Sequence, residues 1–503
     1  MTGGDRARVR GYLLGAVLLA MLRFTFFAAD DSYAIDDAWV SFRVAGNLVR
    51  HGALTYDLAR PPVEGMTNLL WTLLSAAFIA AFPRVEPLFF AQILGGICHL
   101  ATVALAGWTA AEWAAELEGD PRVAAGCAAG ILAISGSLAF YAASGLETAL
   151  DGLLFLAAVR ESRRAMAGHG RSALAAGVLL GLLALSRPEG VLAGGLICAW
   201  VLLSRPGRAV AVRIVAPFVV MVAALESFRL AYYGALVPNT FHAKEALLSE
   251  GWATLRDFVL YGLGLAGPLA MVPALRASRP ARRLAWIALV LSAGVVWSGG
   301  DWMPGYRRFN AAMIAFALLA GVGAAIARGA WRGLAAAGIA ASIAASAIAS
   351  LLQRDGRRTL PVLADLGRAA QATPGVHDVA LVDIGRFGWY CHASIFDLGA
   401  LTDAHLARQP GGHLKKRWDP AYFAQRHPEM VILLAHGDPW RPGARIKPSR
   451  TIEIEVLRSM DELGDYVLRA AVPLVHDDFY LVFSRRQVPL PARVRGAWMP
   501  GRP

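Results

Sequence analysis

The chain has 503 residues, of which 56% are hydrophobic and 17% are charged. Its apolar residues come in blocks of about 15–25, the length that crosses a bilayer as a helix. A net charge of +12 would suggest a nucleic-acid partner in a water-soluble chain, but much of the arginine lies in short loops between apolar blocks, where it signals topology. The composition therefore predicts a multispanning membrane protein, in contact with a lipid bilayer, that has no nucleic-acid partner.

The cysteines indicate no disulfide framework. Three of the four lie inside apolar blocks, and only Cys391 lies in a polar region. The N-terminus begins with the charged stretch MTGGDRARVR, which precedes the apolar stretch GYLLGAVLLAMLRFTFFA. This order is typical of a signal sequence, but no small-residue cleavage site follows. We therefore predict that the stretch is retained as the first membrane span.

Twelve apolar blocks follow one another as far as residue 352. They cover roughly residues 11–28, 67–82, 88–112, 122–142, 146–160, 172–186, 188–204, 209–233, 254–275, 283–298, 309–327 and 331–352. If the N-terminus is cytoplasmic and every block crosses, the loops RESRRAMAGHGR, SRPGRAVAVR and RASRPARR lie outside, against the positive-inside rule. One block must therefore not cross.

The best candidate for the block that does not cross is 67–82, which is short and ends at Pro83. As a juxtamembrane helix it returns all the arginine-rich loops to the cytoplasm. This leaves about eleven spans in a module of residues 1–352, with a first outer loop at 29–87. The alternative is that 67–82 crosses and that the tightly spaced pair at 172–204 is one misread hairpin.

With this topology six polar segments emerge on the outer face, namely IDDAWVSFR, VEGMTN, SGLET, SRPEG, VPNTFHAK and SGGDWMPGYRRFN. Charged groups near a bilayer are costly, and they pair with one another or line a polar cavity. We therefore predict that the six segments form one site between the helices. The alternative is that each is an interfacial loop, with Trp39, Trp302 and Tyr306 as headgroup anchors.

Beyond residue 352 the composition changes. The short β-like runs DVALVDIG, ASIFDL, MVILLAHG and FYLVFSRR alternate with polar or helical stretches, which predicts a small α/β domain at 353–486 on the outer face. Asp383, Asp397 and Asp403 lie at or near strand ends, where loops present ligand-binding groups or, alternatively, cap turns. The tail at 487–503 is rich in Pro and Arg, which predicts loose order.

The ordered set of motifs resembles the GT-C superfamily of polyprenyl-phosphate-dependent glycosyltransferases. The resemblance rests on DDAWVSFRVAGNL, PPVEGMTNLLWTLL, SGLETAL, LSRPEGVL, VPNTFHAK, SGGDWMPGYRRF and VDIGRFGWY…FDLGALTDAHLAR. It is closest to the branch that contains cell-wall arabinofuranosyltransferases. It implies a polytopic α-helical membrane protein with a catalytic Asp in the first outer loop and juxtamembrane helices after it.

The resemblance also implies a reaction. The expected activity is inverting transfer of a sugar, such as the pentose arabinofuranose, from a polyprenyl-phosphate donor to an envelope glycan, lipid or protein acceptor. The active site and the C-terminal domain would face the extracytoplasmic side of a bacterial inner membrane. One alternative is a non-catalytic envelope or flagellar assembly factor on the same scaffold. The other is a lipid or glycan transporter, which should carry polar groups near the midplane and internal repeats; the sequence shows no such repeat.

Sugar transfer to a hydroxyl requires a base that takes the proton. In the spacing D-x-W-x-x-F-R, Asp37 lies six residues before Arg43, which resembles the same stretch in oligosaccharyltransferase catalytic subunits and aminoarabinose transferases. We predict that Asp37 is the base and that Asp36 raises its pKa or binds the acceptor, although the two roles could be exchanged. The stretch is also a good helix N-terminus, and a capping role is compatible with catalysis.

The leaving phosphate requires cations, for which we predict Lys244, Arg307 and Arg308, with Arg43 behind them. The alternative for each is snorkelling of a long side chain to the interface. The residues predicted to contact the substrate or to support the site are polar and lie near the outer face; they are Glu64, Asn68, Glu147, Arg187, Glu189, Asn239, His242, Asp301 and Asp383. Some members of the superfamily bind a divalent metal between carboxylates of the first two outer loops, and Asp37 and Glu147 are the corresponding candidates here. The motif SGLET is not a paired acidic motif, however, so no metal cofactor is expected.

Overall fold

The computed structural model describes residues 1–244, 247–352, 360–437, 447–474 and 477–488. Residues 489–503 of the predicted loose tail lie outside these ranges. In the first part of the described chain the helices are α1 (Gly3–Ala28), α2 (Asp37–His51), α3 (Leu69–Ala81), α4 (Pro87–Glu116), α5 (Pro121–Ile134), α6 (Gly136–Ala143), α7 (Thr148–Met166), α8 (Gly170–Ser186), α9 (Pro188–Ser204), α10 (Arg208–Tyr233), α11 (Asn239–Ala243), α12 (Leu248–Asp257), α13 (Val272–Ala277), α14 (Arg279–Trp297), α15 (Asn310–Ile326) and α16 (Ala330–Leu352).

Two of the predicted apolar blocks form bent helices rather than straight ones. The pair α5 and α6 bends by 58° where Ser135 interrupts the helix. A π-helical segment, Phe258–Leu263, continues α12, and a 3₁₀ segment, Gly267–Met271, leads into α13, with a bend of 65° between the two halves. Each of the twelve predicted blocks therefore lies on a helix or on a bent helix pair.

Six helices among the described residues are long and apolar enough to cross a membrane, or up to eight if each bent pair is one span. The helices α3, α8 and α9 are apolar but shorter. With 13 residues, α3 is about 20 Å long, less than the hydrocarbon thickness of a bilayer. This length agrees with a juxtamembrane helix, while the number of eleven spans stays a prediction.

The helix α15 lies at the centre of the bundle, where nearly every residue from Asn310 to Gly323 is buried. It packs against α5 and α7, and its alanine and glycine side chains allow a close approach. In contrast, α1 and α10 bury few residues and expose apolar side chains such as Leu22 and Val220. Apolar surface on the outside of a helical bundle is typical of contact with a membrane.

The C-terminal part is a small α/β domain, as the sequence predicts. Its described elements are α17 (Leu360–Gln371), β1 (Asp378–Leu381), α18 (Ile384–Tyr390), β2 (Ser394–Asp397), α19 (Ala404–Ala407), α20 (Pro420–Arg426), β3 (Met430–His436), β4 (Lys447–Pro448), α21 (Thr451–Leu463), β5 (Tyr466–Pro473) and β6 (Asp478–Arg485). The strand order is β2-β1-β3-β6-β5, with β4 beside the end of β3. The pairs β1–β2 and β1–β3 are parallel, and the remaining pairs are antiparallel.

Both faces of this sheet are buried. In β3, Met430 and Ile432 point to one apolar core and Val431 and Leu433 to another, which is the two-residue alternation of a strand. The first of these cores also contains Trp39, and with it the sheet and α18 pack on the first outer loop. The C-terminal domain is therefore held against the loop that carries the predicted base.

Candidate active site

The six polar segments meet, as the sequence predicts. Asn68 accepts a hydrogen bond from the Ser41 hydroxyl at 2.9 Å and donates to a carboxylate oxygen of Glu147 at 2.7 Å. Arg187 pairs with both Glu147 and Glu189. We call the row Asn68, Glu147, Arg187, Glu189 and Arg308 the polar chain.

The polar chain closes on the last of the six segments, because Arg308 Nε donates to Glu189 at 2.7 Å. The remaining segment, VPNTFHAK, joins through the Asn239 backbone N–H, which donates to the Glu64 carbonyl oxygen at 3.1 Å. Hydrogen bonds and ion pairs thus connect all six segments. The interpretation of the segments as separate interfacial loops is wrong.

Asp37 lies beside the polar chain, at the first residue of α2, and its side chain is partly exposed. Lys244, Arg307 and Asp301 interact with it electrostatically. Within the described chain, no hydrogen bond or ion pair reaches the Asp37 carboxylate or the Lys244 ammonium group. We call these four residues the cleft.

The charges of the cleft perturb one another. Burial raises the pKa of Asp37, and the cations Lys244 and Arg307 oppose that rise. Burial lowers the pKa of Lys244, and Asp37 opposes that fall. Asp301 accepts a 2.7 Å hydrogen bond from Arg307 Nε; burial raises the pKa of Asp301, but the guanidinium outweighs this and holds the pKa below its usual value. A carboxylate with a raised pKa next to two cations suits proton acceptance beside a phosphate.

Asp36, the neighbour of Asp37, has a different environment. Its two carboxylate oxygens accept hydrogen bonds from the backbone N–H groups of Gly385 and Arg386, at 2.7 and 2.8 Å, in the first turn of α18. Gly385 must be a glycine here, because a Cβ would lie 1.9 Å from the Asp36 carbonyl oxygen. Burial raises the pKa of Asp36 to about 7, and the nearby carboxylate of Asp383 adds to the rise. Asp36 thus attaches the first loop to the C-terminal domain.

Asp383 is a residue of the C-terminal domain that lies near Asp36 and Asp37. Both of its oxygens accept hydrogen bonds from Arg450, at 2.8 and 2.9 Å, and one accepts from the Tyr480 hydroxyl at 2.8 Å. Asp383 interacts electrostatically with both Asp36 and Asp37. The predicted supporting role of Asp383 is compatible with this position, although its carboxylate is already paired.

Other predicted site residues lie outside the cleft. Arg43 donates four hydrogen bonds of 2.8–3.0 Å to the carbonyl oxygens of Tyr56, Gly388, Cys391 and Ala393. Because four of its five N–H bonds are used in this way, Arg43 holds the loop on the C-terminal domain, and we do not retain it as a phosphate ligand.

Glu64, Asn239 and His242 also serve to connect segments. Glu64 forms two hydrogen bonds with Arg229, at 2.6 and 3.0 Å. The Asn239 side chain donates to backbone carbonyls in the loop before α19, among them Ala400 at 3.0 Å. His242 is exposed, and its carbonyl oxygen accepts from Lys416 at 2.7 Å.

Of the two carboxylates considered as metal ligands, Asp37 and Glu147, the second is already paired. The two oxygens of Glu147 are occupied by Asn68 and Arg187, and a guanidinium-paired carboxylate is a poor metal ligand. Among the residues that the structure describes, no three His, Cys, Asp or Glu side chains form a metal-binding group. The expectation that the protein needs no metal stays a prediction.

The sequence prediction missed several partners. Arg229 and Glu226 lie three residues apart inside an apolar block, and opposite charges at that spacing were a usable signal of a buried pair. Arg450 and Tyr480 had no such signal, because only the folded sheet brings them to Asp383.

Residues 353–484 match a family described as Domain of unknown function (DUF8728). No curated protein matches the chain. ArnT from Cupriavidus metallidurans bound to undecaprenyl phosphate has a similar structure, with a TM-score of 0.58 at 12% identity over 94% of this chain and 98% of that chain.

The oligosaccharyltransferase of Archaeoglobus fulgidus is also similar. Its structure tethered to an acceptor peptide with the NVT sequon has a TM-score of 0.53 at 12% identity, over 84% of this chain and 69% of that chain. Its structure as AglB with an inhibitory peptide and a dolichol-phosphate has a TM-score of 0.52 at 12% identity over the same shares. The protein is therefore a polytopic α-helical membrane protein of the GT-C fold with a small C-terminal α/β domain.

Proposed function

We propose that this protein is a glycosyltransferase that moves a sugar from a polyprenyl-phosphate donor to an acceptor hydroxyl. The observation that carries the proposal is the cleft, where Asp37 and Lys244 have no partner within the described residues although Arg307 and Asp301 beside them are paired. The similar structures support the donor class, since ArnT is bound to undecaprenyl phosphate and AglB to a dolichol-phosphate.

In the proposed step the Asp37 carboxylate takes the proton of the acceptor hydroxyl, and the hydroxyl oxygen forms a bond to the anomeric carbon of the sugar. The bond from that carbon to the phosphate oxygen breaks, and its electron pair remains on the phosphate. Lys244 and Arg307 stabilise the charge that develops there. Attack from the face opposite the phosphate inverts the configuration at the anomeric carbon.

The proposal also includes the side of the membrane on which the cleft lies, the sugar and the acceptor. The positive-inside rule places the cleft and the C-terminal domain on the extracytoplasmic side of a bacterial inner membrane. The motif resemblance favours a pentose such as arabinofuranose as the sugar. The acceptor in this proposal is an envelope glycan, lipid or protein, because the proposed orientation puts the cleft outside the cytoplasm.

The test is turnover by the full chain, purified in nanodiscs and incubated with polyprenyl-phosphate donors that carry different radiolabelled sugars. We expect release of free polyprenyl phosphate together with labelled product for one donor, and no release from the Asp37→Asn variant. If no donor is consumed while deletion of the gene still alters the envelope, the protein is an assembly factor and the proposal is wrong.

A further inference from the structure

The end of the helical bundle opposite the cleft carries arginines from two neighbouring segments. Helix α9 begins one residue after Arg187 of the polar chain and ends at Ser204. Helix α14 begins at Arg279 and ends at Trp297, four residues before Asp301 of the cleft. With 17 and 19 residues, the two helices are about 25–29 Å long. Ser204 and Arg279 therefore lie on a surface that is remote from the cleft.

A direct contact joins the two segments at this end. The Arg283 guanidinium donates a hydrogen bond to the Ser204 hydroxyl, and α9 packs against α14. Arg279 lies four residues before Arg283, which puts it on the same face of α14, one turn nearer the end of the bundle. Arg205 directly follows Ser204 in the chain. Arg205 and Arg279 therefore flank one contact, and both are exposed.

The charges of Arg205 and Arg279 are not compensated by acidic residues nearby in the sequence. Residues 190–225 and 258–300 contain no Asp or Glu, and the structure describes both stretches without a gap. Within the described chain, neither of the two guanidinium groups forms a hydrogen bond or an ion pair. Both are therefore available to an anion from outside the protein.

Other arginines at this end already have partners within the protein. Arg282 donates to the Leu275 carbonyl oxygen at 2.8 Å, and Arg276 lies over the Trp331 ring, 4.4 Å from its centroid. Arg283 forms the contact between α9 and α14. These contacts fix the turn before α14 and the backbone that carries Arg279. A ligand needs only the two arginines that have no partner, and their positions are organised before it binds.

A second arginine-rich loop at the same end of the bundle differs in this respect. It follows α7, which begins one residue after Glu147 of the polar chain and ends at Met166. Arg160 pairs there with Glu112 at 3.1 Å and with Glu161 at 2.7 Å. The positive-inside rule accounts for arginine in both places, but it does not require that the charges lack acidic partners. The contrast indicates a role for the unpaired arginines beyond topology.

Exposed apolar side chains lie beside the unpaired arginines. Leu202 and Leu203, in the last turn of α9, are 54% and 73% exposed, and Trp286 on α14 is 67% exposed. Trp286 follows Arg279 by seven residues, which is two helical turns, so the two share a face about 10 Å apart. We call Leu202, Leu203, Arg205, Arg279 and Trp286 the arginine patch. Cations at the end of the bundle with apolar surface next to them match a phosphate headgroup with its acyl chains.

We propose that the arginine patch binds an anionic phospholipid of the surrounding bilayer. The headgroup phosphate lies on Arg205 and Arg279, and the acyl chains lie along Leu203 and Trp286. Guanidinium groups recognise phosphate by charge and by paired hydrogen bonds, and the chains add apolar contact. In the proposed topology the lipid belongs to the cytoplasmic leaflet. Because the patch is remote from the cleft, the proposal holds whether or not the protein transfers a sugar.

The test is native mass spectrometry of the full chain in delipidated detergent micelles, with dioleoyl phosphatidylglycerol or dioleoyl phosphatidylcholine added. The two lipids have the same chains and differ in net charge, so we expect phosphatidylglycerol to bind more tightly. Arg205→Gln combined with Arg279→Gln should weaken its binding about tenfold or more and leave phosphatidylcholine binding unchanged. Lysine at both positions keeps the charge and should recover part of the binding.

The matched control removes two charges from the other loop, by Arg164→Gln combined with Arg171→Gln. Arg164 lies 3.9 Å from Glu112 and 4.0 Å from Glu161, so this variant should bind phosphatidylglycerol as the wild type does. Equal affinity for the two lipids, or an equal loss of phosphatidylglycerol binding in the control, would overturn the proposal.

Two competitors separate the other sources of phosphate. Excess inorganic phosphate should not displace phosphatidylglycerol, because the ion has no acyl chains; displacement would mean that the patch is an ion site only. Undecaprenyl phosphate should bind in addition to phosphatidylglycerol; displacement would assign the patch to the donor lipid. Either displacement would overturn the proposal. If the double variant does not fold, Arg279→Gln alone replaces it, and unchanged binding in that variant would contradict the assignment.

Discussion

Two groups of charges lie side by side in this protein and differ in their partners. In the polar chain every ionised side chain has an opposite charge, as in the pairing of Arg187 with Glu147 and Glu189. In the cleft, Asp37 and Lys244 lack a hydrogen-bonded partner within the described residues. The polar chain therefore holds helices together, whereas we propose that the cleft keeps charge available for a ligand.

Exposure agrees with this distinction. Lys244 is exposed and Asp37 is partly exposed, so water can solvate both charges in the absence of a protein partner, whereas Glu147 in the polar chain is buried and needs its partners. The contrast between the two groups predicts that substitutions in the polar chain reduce stability, whereas substitutions in the cleft reduce activity.

The largest effect on stability is expected for Arg187→Met. This change removes the cation between two carboxylates and leaves buried Glu147 with only the amide of Asn68, at a cost of about 3–5 kcal/mol in the free energy of unfolding. Denaturant unfolding in detergent measures the loss. The matched control is Lys244→Met, which should unfold at the wild-type denaturant concentration. Equal stability of Arg187→Met and the wild type would contradict the structural role of the polar chain.

The second prediction concerns Lys244 and the rate of sugar transfer. Lys244→Ala should reduce the transfer rate by about 10²–10³-fold, because one stabilising cation at the leaving phosphate is lost. Lys244→Arg retains the charge and should recover part of the rate. Single-turnover transfer of labelled sugar measures both variants. If Lys244→Ala transfers sugar at the wild-type rate, the side chain only snorkels to the interface.

The smallest effect is expected for Asp36→Asn. An amide, like a protonated carboxyl, accepts from one of the two N–H groups of α18 and presents its own donor to the other, so the variant resembles the protonated wild type. The difference in stability should depend on pH. Because the folded-state pKa is about 7 and the unfolded one is about 3.9, the stabilisation by the protonated group is complete below about pH 4 and is lost as the pH rises through 7.

The free energies of unfolding of wild type and Asp36→Asn should therefore be similar at pH 5, and that of the wild type should fall relative to that of the variant as the pH rises to 8. Chemical denaturation of both proteins at several pH values measures it. A difference that is constant over this range would mean that Asp36 is ionised in the folded protein throughout.

Much of the fold follows from local patterns. Apolar blocks predicted the helices, and alternating runs predicted β1, β2, β3 and β6. The positive-inside rule together with the cost of charge near a bilayer predicted that the polar segments would meet, and the contact from Asn68 to Glu147 confirms this.

The partners within the site did not follow from local patterns. Arg43 reaches Gly388 and Cys391 across about 350 positions of sequence, and no periodicity reports such a contact. For the same reason the sequence left Asp36 and Asp37 exchangeable. Only the tertiary position of α18, which occupies one carboxylate and not the other, distinguishes them.

The central claim is that Asp37, and not its neighbour Asp36, accepts the proton of the acceptor. The most direct test is single-turnover transfer from a polyprenyl-phosphate donor by Asp37→Asn in nanodiscs, run beside a donor-binding assay. We expect donor binding to persist and transfer to fall by about 10²–10⁴-fold, with a smaller loss in Asp36→Asn. Wild-type transfer by Asp37→Asn, or a greater loss in Asp36→Asn with binding intact, would contradict the claim.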